Sequence, residues 1–205
     1  MNHNKMMIDF ETLDIANCPV VLSVGVVIFD DKNIIDMYSE KISQESCLAI
    51  GCTISKETQD WWSQQSVEAR SAAFGGTADI ETVMKILTDL YTQYDCIEIW
   101  SRGSLADIRW TNNILDRLGI EKPWKHWQEM CLRTLVKSVP KFDLKFDGEK
   151  HNALDDAIHQ VEEYFYIKNM QSNQTQLLIE QGQAFNELSQ KCADLEFKLL
   201  QKEEV

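Results

Sequence analysis

The stretch Ile8-Asp9-Phe10-Glu11-Thr12-Leu13 closes an apolar strand, residues 5–12, on two carboxylates. Successive strand residues face opposite sides, so Asp9 and Glu11 point the same way. Carboxylates that close resist joint ionisation unless a cation neutralises them. Hard divalent ions, Mg²⁺ or Mn²⁺, prefer carboxylate oxygens. Farther along, Asp107 and Asp156 supply a third and a fourth carboxylate. Together the four suffice for two ions about 3.5–4 Å apart, the arrangement used in phosphoryl hydrolysis. His151, opening His151-Asn152-Ala153-Leu154-Asp155-Asp156, stands just outside the carboxylates, where a general base for an attacking water is needed. The pattern reads as a metal-dependent nuclease.

Three segments resemble the DEDDh branch of the 3′–5′ exonuclease superfamily: Ile8 to Leu13, Arg102-Gly103-Ser104-Leu105-Ala106-Asp107, and His151 to Ala157. The last is the most specific, a histidine followed by four residues and then a metal-binding aspartate, here Asp156. A further stretch, Trp61 to Arg70 (W-W-S-Q-Q-S-V-E-A-R), resembles the tailed-phage exonuclease A and ribonuclease T-like group. One departure is Ala106, where the family usually has Phe before the middle aspartate. The resemblance covers roughly residues 5 to 168. It implies a ribonuclease H-like fold, with Asp9, Glu11, Asp107 and Asp156 as metal ligands and His151 as the base. Thr12 and Leu13 would contact the terminal nucleotide. Trp61 and Trp62 face different directions on a helix, one toward the core and the other free to stack a base, with Trp62 the substrate-binding candidate. Arg102 either binds phosphate or balances nearby acids.

The bulk properties bound the rest. A chain of 205 residues with 44% hydrophobic content can bury one domain and carry an appendage. The opening MNHNKMMIDF lacks a signal-peptide layout, and the longest apolar stretch, Val20 to Phe29, is too short for a bilayer. A soluble, cytoplasmic protein is expected. Six cysteines, at 18, 47, 52, 96, 131 and 192, form no C-x-x-C pair, which argues for buried free thiols over zinc or disulfides. A net charge of −13 opposes nucleic-acid binding. Bound cations would reverse that sign locally. Between Lys122 and Lys150 seven basic residues face four acidic ones, either a track for phosphates or a solvated loop of mixed charge.

Patterning predicts an α/β domain. The buried run Pro19 to Phe29 and the alternating Ile34 to Ile42 continue the first strand as a meander. Ser55 opens a helical segment through Trp61, Trp62 and Ala69, which Gly75-Gly76 ends. Ile80, Val83, Met84, Leu87, Leu90 and Tyr91 form a helical stripe. Cys96 to Trp100 reads as a strand, Ile108 to Leu118 as a helix, and Met130 to Leu132 as a short strand before another helix. The expectation is a mixed five-stranded sheet flanked by helices over residues 1–170, with a helical, coiled-coil-like extension over 171–205. In that extension Leu178, Phe185, Cys192 and Leu199 recur every seven residues, and Leu188 and Leu195 share the alternate seam with Gln181 and Lys202. Packing on its own domain and pairing into a homodimer both satisfy this pattern.

Asp14, Asp116 and Asp155 compete locally with the chosen acids, and each suits a turn or helix surface. His159 reads as structural, while His3 and His126 carry no motif. The expected activity is 3′–5′ hydrolysis of single-stranded ends, with the phage-like segment tilting the substrate to DNA over RNA. A nuclease-fold adaptor protein and a phosphohydrolase for short oligonucleotides are the rivals.

Overall fold

Five strands form one mixed sheet in the order β3-β2-β1-β4-β5. The structure, a computed structural model, describes the backbone of residues 3–203 and the side chains of residues 3–192. The central strand β1 (Lys5–Thr12) runs antiparallel to β2 (Val21–Phe29) and parallel to β4 (Glu98–Ser101). β3 (Ile34–Lys41) pairs antiparallel with β2, and β5 (Glu129–Cys131) pairs parallel with β4. Every residue of β2 is buried, as its continuous apolar run requires of a strand covered on both faces. β3 lies at the edge and has no fully buried residue.

The alternation of β1 separates two cores. Met6, Ile8 and Phe10 pack with the stripe of α4 (Ile80–Gln93) and with Ile108, Ile114 and Leu115 of α5 (Asp107–Leu118). Met7 packs on the opposite face with Val27, Phe29 and Trp100. There Ala157, Val161 and Tyr164 of the last helix, α7 (Ala153–Glu203), cover the sheet. Asp9 and Glu11 share the face of Met7. The acidic pair therefore lies under the start of α7, where the apolar layer ends.

The remaining helices are α1 (Gln44–Ala49), α2 (Lys56–Ser63), α3 (Val67–Ala73) and α6 (Leu132–Lys137). Two of these depart from expectation. The segment from Ser55 through Ala69 is two helices, because the Ser66 side chain accepts from Ala69 N–H and starts a new one. α1 was unforeseen: it has six residues and buries only Cys47, too little for periodicity to reveal. The six cysteines are free thiols, four of them buried.

The chain divides into two compact units, residues 1–165 and 166–205. The division falls inside α7, a few residues before the expected boundary. In the second unit Leu178, Phe185 and Leu188 are exposed, while the side chains of Leu195, Leu199 and Lys202 lie outside the described residues. Among the described residues no helix is long and apolar enough to cross a membrane.

Candidate active site

Asp9 and Glu11 stand opposite Gly25 and Ser23 of β2. A Cβ at Gly25 would overlap the backbone of Ala153 and Leu154, so glycine lets the first turn of α7 lie directly on the sheet. That approach brings His151 and Asp156 over the acidic pair. Asn152 Oδ1 caps the turn by accepting from Leu154 N–H at 3.1 Å. From the other side, Asp107 opens α5 after β4 and accepts the Phe10 N–H on Oδ1 at 3.1 Å. Ala106 packs against the core and leaves Asp107 buried at the helix start despite the missing aromatic ring.

Burial raises the proton affinity of all four carboxylates, and at Asp9 and Glu11 the neighbouring acids add to it. Burial holds Asp9 well above the usual carboxylate range, and the charges of Asp107, Glu11 and Asp156 add to it, against a hydrogen bond from Gln160. Glu11 is pushed up to about 8 by burial and then by Asp156 and Asp107. Burial lifts Asp107 to about 6, and it also raises Asp156. Carboxylates crowded in this way hold protons or cations. Single ligand atoms of Glu11, His151 and Asp156 all lie within 4.8 Å of one another. An all-oxygen acid set with one imidazole at its edge fits a hard divalent ion.

His151 has a left-handed backbone, φ 66°, and its N–H donates to Asp156 Oδ2 at 2.9 Å. Its Nδ1 lies 3.8 Å from Glu11 Oε1. The edge-on rings of Trp61 and Trp62, with centroids at 5.0 and 6.1 Å, wall the imidazole. Aromatic contact and a backbone anchor thus hold the ring beside the acids.

Of the two tryptophans, Trp62, the candidate for base stacking, is the one that belongs to the core. Trp62 is 1% exposed and donates its indole N–H to Thr12 O at 2.9 Å, so it has no free face for a base. Trp61 is 41% exposed, because the next residue on a helix turns away from the core. Thr12 and Leu13 are buried, and the Thr12 hydroxyl donates to Asp14 O. Arg102 is ion-paired with Glu163 and shares a cavity wall with Lys150, His151 and Asp156. Lys122, at the start of the basic segment, pairs with Asp116.

The competing acids have structural partners. Asp14 accepts the N–H groups of Ile15 and Ala16 and the Thr53 hydroxyl, while Asp155 accepts the Glu149 N–H. His159 stacks near Phe146 and lies 3.7 Å from Glu162. Sequence reading missed Gln160, which donates to Asp9 Oδ1 at 2.7 Å. Its position four residues beyond Asp156 places it on the same helix face, and that spacing was the available signal.

A central strand bearing two acids, a third acid on the helix after β4, and a His–Asp unit opening the last helix are the arrangement that the resemblance to DEDDh-type 3′–5′ exonucleases predicts. The chain belongs to the 3′–5′ exoribonuclease Rv2179c-like domain family, whose model matches residues 4–167. It is 24% identical over 161 residues to an exodeoxyribonuclease of Enterobacteria phage T4, covering 65% of this chain and 70% of the phage protein. The fold is similar to the nuclease domain of 3′hExo, a DEDDh family member bound to rAMP. That match has a TM-score of 0.55 at 17% identity and covers 82% of this chain and 92% of the other. Exonuclease X in complex with 5′ overhanging duplex DNA matches with a TM-score of 0.47 at 15% identity, covering 81% and 92%.

Proposed function

We propose that this exonuclease removes nucleotides from single-stranded 3′ ends with two divalent ions, Mg²⁺ or Mn²⁺, held by Asp9, Glu11, Asp107 and Asp156. His151 takes the proton of the attacking water as general base. The observation that carries this reading is the grouping of Glu11, His151 and Asp156 at the mouth of a buried acid cluster, with the imidazole walled by Trp61 and Trp62. The ions, when bound, supply charge stabilisation for the phosphoryl transfer. The chain supplies the rest. The carboxylates bind and orient, and the exposed Trp61 offers a face on which a terminal base stacks. Arg102 and Lys150, lining the adjoining cavity, counter the phosphates of the incoming strand.

DNA is the preferred substrate in this reading, supported by the tryptophan-bearing segment and by the phage exodeoxyribonuclease relative. A ribonuclease reading is favoured by the family model. The rival adaptor role has no support from a site that keeps all four acids and the histidine. Residues 1–170 form the catalytic part in this proposal, and the helical extension 171–205 pairs with a second copy through Leu178, Phe185 and Leu188. The deciding experiment incubates 5′-labelled single-stranded DNA and RNA, with free or blocked 3′ ends, with Mg²⁺ or Mn²⁺. Stepwise shortening of free-ended DNA is expected, faster than of RNA. Shortening of 3′-blocked strands at an equal rate would refute the polarity, and faster loss of RNA would reverse the preference.

A further inference from the structure

Each of the three aspartates keeps one oxygen tied to a donor. Phe10 N–H holds Asp107, His151 N–H holds Asp156, and Gln160 Nε2 holds Asp9 Oδ1 at 2.7 Å. The first two donors are backbone groups, present whatever residue carries them. The third is a side chain, so the placement of Asp9 depends on what stands at position 160. Gln160 is 3% exposed, on α7 beneath the site. In the ionised form that binds a cation, a carboxylate only accepts, so the amide turns its NH₂ to Asp9 and its carbonyl away. That carbonyl is buried and has no hydrogen-bond partner among the described residues. Gln160 is also part of the wall of a cavity of about 210 Å³ that His151, Asp156, His159, Arg102 and Lys150 line.

A buried amide satisfied at one end is a poor stabilising element, and an apolar side chain of similar volume would serve the fold at least as well. Stability and placement of Asp9 are thus separable explanations for a glutamine at this position. We propose that Gln160 is a positioning residue of the nuclease reaction. Its amide N–H fixes one oxygen of Asp9 and so presents the other to the divalent ions. The inference rests on the metal-nuclease reading of the acid cluster. Partners that orient metal-binding groups typically contribute about 10–100-fold in metal affinity.

The test compares the full-length protein with Gln160→Met, which keeps the volume and removes the donor, and with Gln160→Leu in case methionine disturbs the helix. Mn²⁺ affinity is measured by electron paramagnetic resonance of the free ion, together with metal-free melting temperature, kcat and KM on single-stranded DNA. The expected result is Mn²⁺ affinity lower by about 10–100-fold, kcat lowered more than KM is changed, and a metal-free melting temperature equal to or above that of the original protein. Unchanged Mn²⁺ affinity in folded variants overturns the proposal. A fall in metal-free melting temperature that alone accounts for the lost activity overturns it as well, assigning Gln160 to the fold. Failure of the unsubstituted protein to bind Mn²⁺ at all is a separate outcome, which removes the metal site and this inference with it.

Discussion

His151 adopts a left-handed conformation, φ 66°, that costs energy in any residue with a Cβ. It is held there because its N–H bonds Asp156 and its ring leans on Trp61 and Trp62. A proton acceptor must be aimed before it is useful, and this conformation aims the imidazole at Glu11. His151→Ala is therefore expected to cut turnover by about 10²–10⁴-fold, while Mn²⁺ binding falls far less than in Asp156→Ala. Equal losses of Mn²⁺ affinity in the two variants would make His151 a ligand instead of a base. The same local view explains Trp61 and Trp62. Their identity was plain from the sequence, but which of the two is buried depends on how α2 is rotated against the sheet.

At the scale of elements, the contact that assembles the site is the first turn of α7 against β2. Gly25 makes it, because a Cβ there would occupy the space of the Ala153 and Leu154 backbone. Gly25→Ala is expected to push the helix start off the sheet and move His151 and Asp156 away from Asp9 and Glu11. Overpacking of this kind costs about 1–3 kcal/mol of stability. Activity should fall much further than that loss of folded protein explains, which chemical denaturation read alongside oligonucleotide cleavage would reveal. Near-normal activity in a folded variant would mean the approach is not needed. Asp155 acts on this element too: by accepting the Glu149 N–H it ties down the loop that leads into His151.

The whole molecule carries a net charge of −13, and Asp9, Glu11, Asp107 and Asp156 sit together. Glu11 rises to about 8 from an ordinary 4.5, and Asp107 to about 6 from 3.8. Without metal the native state keeps protons that the unfolded chain releases above pH ~4. Stability is then greatest in acid and is lost as pH rises toward about 8, by up to about 1.4 kcal/mol per pH unit for each such proton. Melting temperature in a chelator should fall between about pH 5 and pH 8, and Mn²⁺ should restore more of it at the higher pH. A flat profile in chelator would contradict the buried cluster. The second unit calls for a different measurement. Its exposed Leu178, Phe185 and Leu188 favour association at about 25 cal/mol per Å² buried, less the entropy of pairing. Truncation after Met170 should leave nuclease activity intact and lower the mass seen by light scattering. Unchanged mass would argue against a paired extension.

Local periodicity and local chemistry were legible in the sequence alone. The same-face placement of Asp9 and Glu11 comes from strand alternation. The strand and helix order comes from apolar spacing. The family motifs added Asp107, Asp156 and His151, and the structure gathers all five residues around the end of β1. Only the tertiary structure decided which neighbour is buried, which donor meets which acid, and where a missing side chain matters. Trp61 rather than Trp62 reaches solvent, Gln160 meets Asp9 across the helix–sheet interface, and Gly25 admits the backbone of α7. These depend on distances between segments far apart in the chain. No local pattern records such distances, because close packing sets them where helix and sheet meet.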